Sequence, residues 1–103
     1  MSEAKPQPKP KPGKHHILKT WPVFFNAIGS GQKNFEVRFN DRGYQVGDSL
    51  ELREYDPIKK EYTSRWIWCR VGYVLTNFEG IKDGWCVLGL LLPSNHMWPI
   101  YKF

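Results

Sequence analysis

Hydrophobic and polar positions alternate along most of this chain, and that rhythm predicts short strands separated by turns. His16 to Thr20 reads as the first strand. The rhythm then becomes helical, with Val23, Phe24, Ala27 and Ile28 recurring on one face that is expected to be buried. Thr20 stands where a cap belongs, Pro22 lies near the first helical position, and Gly29-Ser30-Gly31 ends the helix. Asn34 to Phe39 alternates again. After the turns Asn40 to Gly43 and Val46-Gly47-Asp48, Ser49 to Tyr55 alternates Leu50 and Leu52 with polar neighbours. Asp56 to Lys60 forms a charged hairpin tip, leading into a long strand from Tyr62 to Leu75.

Within Arg65 to Leu75, Ile67, Cys69, Val71, Tyr73 and Leu75 share one predicted face, expected to be core. Trp66, Trp68 and Arg70 share the other, which serves as a stacking platform or partner surface unless the C-terminal tail covers it. Asn77 to Gly84 is a loop. Trp85 to Leu92 is a continuous apolar run typical of a central strand, and the aromatic, proline-containing end from Pro93 to Phe103 is expected along the barrel surface. One early helix and five or six strands at short spacing predict an α+β, mostly β fold. Its expected form is a small, mainly antiparallel barrel with the helix at its mouth.

Candidate chemistry gathers between Gly31 and Arg38. If Asn34 to Phe39 is a strand, Glu36 and Arg38 point to the side opposite Phe35, Val37 and Phe39. Lys33 at the strand's mouth can join them around one pocket. Such a cavity beside a glycine turn suits an anion, a sugar hydroxyl or a base edge. The same residues also fit a solvated strand face with an ordinary ion pair.

A chain of 103 residues forms one domain, and 16% aromatic content with five Trp supplies a core without disulfides. Cys69 and Cys86 sit inside apolar runs and read as small buried hydrophobes of a reducing cytoplasm. His15, His16 and His96 have no metal-ligand spacing, so neither metal nor cofactor is expected. No apolar run reaches the ~20 residues of a membrane helix, which points to a cytoplasmic protein with no membrane partner. The net charge of +5 invites a nucleic-acid reading, but its distribution weakens it. Residues 1–14 carry Lys5, Lys9, Lys11 and Lys14 against Glu3, whereas the rest of the chain has eleven Lys or Arg against nine acids. That Lys/Pro-rich leader is expected to be extended, as a tether or a weak phosphate contact, ahead of one domain over 15–103.

The order of these pieces carries a resemblance. His16-Ile17-Leu18-Lys19, Gly31 to Arg38 (Gly-x-Lys-x-x-Glu-x-Arg), Asn40-Asp41-Arg42, Val46-Gly47-Asp48, Leu52-Arg53-Glu54 and Tyr62-Thr63-Ser64-Arg65 follow one another over about residues 15–92. In this the chain resembles an ASCH domain of the PUA-like superfamily, in its short phage and bacterial branch. Ser64 stands where glycine is usual. The resemblance implies a cleft between helix and barrel lined by Lys19, Lys33, Glu36 and Arg38, and a role in binding RNA or modified nucleosides; separately, a monomer is expected. Lys19 and Lys33 would come together across the short helix between them.

One ASCH branch removes the acetyl group of acetylcytidine with a lysine, a threonine three residues later and a glutamate from a later helix. Here Lys33 matches the lysine, Glu36 takes the place of the threonine, and a short loop from Leu75 to Trp85 leaves no room for that helix. The missing hydroxyl disfavours that reaction. Another nucleobase-directed amidohydrolase reaction would use Glu36 as base and Lys33 as oxyanion partner. A third reading is a phage-type protein that binds and modulates a host factor through Trp66 and Trp68.

Overall fold

The computed structural model describes residues 13–91 and 100–102. The Lys/Pro-rich stretch over 1–12 and the segment over 92–99 lie outside the described residues, as does Phe103. Strand β1 (His15–Thr20) is followed by helix α1 (Pro22–Gly29), then β2 (Phe35–Phe39), β3 (Ser49–Asp56), β4 (Glu61–Leu75), β5 (Trp85–Leu91) and β6 (Ile100–Lys102). The sheet runs in the order β1-β3-β4-β5-β2, with β6 beside β4. All pairings are antiparallel except β1 with β3. The fold is α+β and mostly β, a curled half-barrel with one helix. Among the described residues no helix is long and apolar enough to cross a membrane.

The inner face is lined by Leu18 of β1, Leu50 and Leu52 of β3, Ile67, Cys69 and Val71 of β4, and Cys86, Leu88 and Leu90 of β5. Residues two apart on each strand share this face, as the pleat requires. Burial in this core pushes the Cys69 thiol up to about 12, with the nearby Glu36 carboxylate adding to the effect.

Three expectations shift by one residue. On α1, Phe25 and Ile28 are fully buried, whereas Val23 and Phe24 are 65% and 46% exposed. Trp21 rather than Thr20 occupies the cap position, with extended backbone and no side-chain cap bond. On β4, Ile67, Cys69 and Val71 face inward as predicted, but Tyr73 is 64% exposed and Val74 packs against the core instead. The cause is a bulge. Register with β5 slips between Val71 and Tyr73, making Gly72 the extra residue and reversing the alternation beyond it. A Cβ at Gly72 would lie 2.6 Å from Leu91 Cγ, so glycine permits this close approach.

The N-terminal end of the sheet is held by Asp48 of the Val-Gly-Asp turn. Its carboxylate accepts the Lys14 amide at 3.0 Å and the Gln45 amide at 3.0 Å, and lies 2.8 Å from His16 Nε2. Burial pushes this carboxyl up, but those hydrogen bonds outweigh it and hold the group below its ordinary value. Thus Lys14, assigned to the leader by its sequence context, is tied to the domain. His16, buried against the Tyr44 ring at 4.8 Å, belongs to the same support. His15 is exposed, with Nδ1 2.7 Å from Ser49 Oγ.

Candidate functional site

β1 and β2 are the two edges of the half-barrel, and the seam between them is bridged by side chains instead of a strand ladder. Arg38 Nη2 donates to the Lys19 carbonyl at 2.7 Å and lies 3.4 Å from Thr20 Oγ1. Arg42 Nη1 donates to the Ile17 carbonyl at 2.9 Å. A groove of about 780 Å³ follows the seam, walled by the end of β1, by Trp21 and Phe24 of the helix start, and by the whole of β2, with Tyr44 and Trp85 at its sides.

Local chain geometry delivers the charged groups to this groove. Helix α1 ends at Gly29, the Lys33 amide donates back to the Ala27 carbonyl at 2.9 Å, and β2 begins two residues later. On β2, Glu36 stands opposite Leu88 and Arg38 opposite Cys86, so both project to the core side of the sheet. The polar face of this strand is therefore the inner one. Glu36 is 4% exposed, while Phe35, Val37 and Phe39 are 42%, 50% and 53% exposed.

Lys33, Glu36 and Arg38 are brought together as one ion triad. Lys33 Nζ donates to Glu36 Oε1 at 2.6 Å, and Arg38 Nε donates to Oε2 at 2.9 Å, with Nη2 in ion-pair range of the same oxygen at 2.8 Å. Two of the roughly four acceptor sites of the carboxylate are thus used, one on each oxygen. Lys33 Nζ also donates to the Phe35 carbonyl at 2.6 Å and lies 5.5 Å from the centre of the Phe24 ring. This is a cluster held within the fold, unlike a solvated surface pair.

Lys19 is placed differently from the expectation that its ammonium meets Lys33. Its Nζ lies over the Tyr55 ring at 4.4 Å and the Tyr62 ring at 5.9 Å, and it is the Lys19 carbonyl that enters the seam. The alternation of β1 separates side chain from carbonyl in this way: Leu18 and Thr20 face in, and Lys19 faces out. Trp66, Trp68 and Arg70 line no part of the groove. The Arg70 guanidinium lies 5.1 Å from the Trp68 ring centre and donates to the Gly47 carbonyl at 3.1 Å. The backbone of β6 runs beside Arg65–Ile67, at the end of that outer face.

The aromatic walls were not among the predicted site residues. Trp21 and Phe24 stack with ring centres 6.4 Å apart and planes 19° from parallel, and Phe39 meets Trp85 edge-on at 5.8 Å. Trp21, 53% exposed directly before the helix-opening proline, was the available signal: a large aromatic at a cap position has little core to enter. Arg42 stood within a quoted motif, Asn40-Asp41-Arg42, without a role. Burial raises the Tyr44 hydroxyl's pKa, against the opposing charges of Arg42 and Arg38, so this groove-side phenol is a neutral donor at ordinary pH.

Another buried carboxylate, Glu54 of β3, stands beside Thr20 of β1. Arg65 grips Glu54 with Nε to Oε1 and Nη2 to Oε2, both at 2.8 Å, while Thr63 Oγ1 donates to Oε1 at 2.5 Å. Arg65 Nη2 also donates to Asn26 Oδ1 of the helix at 3.0 Å. The register between β3 and β4 is irregular here, opposite Glu54, and Ser64 adopts a φ of 73° in the bulge.

Residues 15–90 match the family model described as "Domain of unknown function (DUF3850)". The chain is also 30% identical over 83 residues to the "Uncharacterized 12.9 kDa protein in GpA 3'region" of Escherichia phage P2, a match covering 78% of this chain and 74% of that protein. The family match extends from the first residue of β1 into the end of β5, taking in helix, seam and both carboxylate clusters, and the chain belongs to the DUF3850 family.

Proposed function

We propose that the protein is a binding module for RNA or a modified nucleoside, which it takes into the seam groove. The observation that carries this reading is the placement of the Lys33–Glu36–Arg38 triad on the inner side of an aromatic-walled groove. A volume of about 780 Å³ falls within the ~300–1,000 Å³ of small-molecule sites. Exposed aromatic rings suit base stacking, Lys33, Arg38 and Arg42 suit a phosphate, and the remaining acceptor sites of Glu36 suit a ribose hydroxyl or an amine. The motif order resembling an ASCH domain of the PUA-like superfamily supports the same ligand class.

Recognition is favoured over hydrolysis by the same geometry. Each carboxylate oxygen of Glu36 already accepts from a fixed cation, which suits a held recognition partner more than a base that must turn onto a water. Amide shifts of the labelled full chain during titration with nucleosides and short RNAs test the proposal. Shifts at Lys33, Arg38 and the Trp21 indole are expected, without turnover of the ligand. Glu36→Gln, nearly isosteric, should weaken binding by about tenfold or more, the loss of one charge-assisted contact. A groove silent to every nucleoside and RNA, with a host protein captured through Trp66 and Trp68, would replace this reading with the partner-binding one.

A further inference from the structure

The seam is lined by main chain as well as side chains, and its carbonyls are mostly capped from within. On β1, the Ile17 carbonyl accepts from Arg42 and the Lys19 carbonyl from Arg38. On β2, the Phe35 carbonyl accepts from Lys33 and the Phe39 carbonyl accepts from the Asp41 amide at 2.9 Å. Val37 lies between those two. Its orientation follows from the ladder: Asn34 accepts from Leu90 and Asn40 donates to Gly84, so in this antiparallel register the even-numbered residues of β2 bond to β5. The odd-numbered ones therefore turn their N–H and C=O toward the groove. At Val37 the carbonyl has no capping group among the described residues, and the residue lines the groove at 50% exposure.

Resting on the reading of the groove as a nucleoside site, we infer that the open edge of β2 at Val37 reads the Watson–Crick edge of a nucleobase. One residue of an edge strand offers a donor beside an acceptor. Each nucleobase presents the complementary pair, a ring nitrogen and a neighbouring exocyclic group, on its pairing edge. A peptide strand is a poorer occupant, because strand addition uses a row of main-chain groups. Here the carbonyls two residues either side are already taken. With its edge on Val37, a base has the Trp21–Phe24 pair across the seam and Lys33 at one end of the strand within the same groove. The Val37 contact would set which edge of the ligand is read, whereas the triad would hold its sugar or phosphate.

The test uses the labelled full chain with the four nucleoside 5′-monophosphates as probes. The Val37 amide should be among the most shifted with at least one of them. Blocking the pairing edge of that nucleotide by methylation should weaken binding by about tenfold, as expected for two lost hydrogen bonds. The neutral derivatives to use are 1-methylguanosine, 3-methyluridine, N6,N6-dimethyladenosine or N4,N4-dimethylcytidine monophosphate. Val37→Pro removes the donor at a position where an edge strand tolerates proline, and should weaken binding similarly, with Val37→Ala as the side-chain control. If Val37→Pro fails to fold, the methylated nucleotides decide alone. Unimpaired binding of the blocked nucleotides with a silent Val37 amide, while Lys33 and Trp21 respond, overturns the edge reading and leaves the groove as a nucleotide site. A groove silent to all four monophosphates, and to nucleosides and short RNAs, overturns both.

Discussion

Glu36 and Glu54 are two equally buried carboxylates, each 4% exposed and each gripped by an arginine, yet their surroundings differ. Arg65 places two nitrogens on Glu54, and its remaining reach goes to Asn26 on the helix, while its guanidinium lies 4.9 Å from the Phe25 ring centre. Everything around Glu54 ties α1 to the β3–β4 pair. Arg38 reaches instead from Glu36 across a gap between sheet edges to a β1 carbonyl, and the gap itself is the groove. The same residue pair thus serves as a fastener between helix and sheet in one place and as the wall of a cavity in the other. Burial of an ion pair alone does not mark a candidate site; an adjoining space that the pair faces does.

The largest expected effect is on stability at the fastener. Arg65→Ala leaves Glu54 buried without its cation and should cost about 3 kcal/mol, read from urea unfolding followed by tryptophan fluorescence. Arg38→Ala leaves Glu36 still bonded to Lys33 and should cost less, about 1.5 kcal/mol, while abolishing nucleotide binding. Equal stability losses would erase the distinction between the two clusters.

A smaller effect appears in acid. The Arg65 hydrogen bonds hold the Glu54 carboxyl below its ordinary 4.5; burial opposes them, and Thr63 reinforces them. A carboxyl depressed in the folded state contributes stability that is fully present above its unfolded pKa and is lost as pH falls through the lower folded value. The urea midpoint should therefore fall below pH 4.5, and Glu54→Gln should flatten that decline. Asp48, also held below its ordinary value, would retain part of the slope. Nucleotide binding by Glu54→Gln should stay within about twofold of the original chain, since the groove lies elsewhere, and a larger loss would mean that the clusters are coupled.

The smallest effect is a gain. Ser64 holds a φ of 73°, a left-handed conformation that costs a residue with a Cβ about 1 kcal/mol, so Ser64→Gly should stabilise the chain by roughly that amount. It should leave binding unchanged. Calorimetric melting is sensitive enough to see it.

Much of the architecture was legible in local pattern. Leu50 and Leu52, then Ile67, Cys69 and Val71, alternated as inner-face residues do, and Lys33, Glu36 and Arg38 were recognised as a cluster because three charges lay within six residues. The departures arise where position depends on distant chain. Whether Glu36 or Val37 faces the core is decided by pairing with Leu88 and Val87, and no alternation within β2 contains that choice. The helix phase moved from Phe24 to Phe25, whose buried ring also receives Arg65 from the distant strand β4. Tyr73 turned outward because one glycine slipped the register, and Lys19 went to Tyr55 because its strand gives the seam a carbonyl and sends the side chain the other way.

The order of strands has a consequence for synthesis. Each sheet edge waits for a partner made much later: β1 pairs with β3 roughly 30 residues on, and β2 pairs with β5 roughly 50 residues on, so the pairing is strongly non-local. At about 5–20 residues per second on the ribosome, β2 has left the peptidyl-transferase centre several seconds before β5 is made. Through that interval Phe35, Val37 and Phe39 form a short apolar β-prone stretch without its one sheet neighbour, β5. Lys33, Glu36 and Arg38, interleaved with it and beside it, are charges of the kind that discourage such a segment from pairing between nascent chains, and in the finished fold they line the groove.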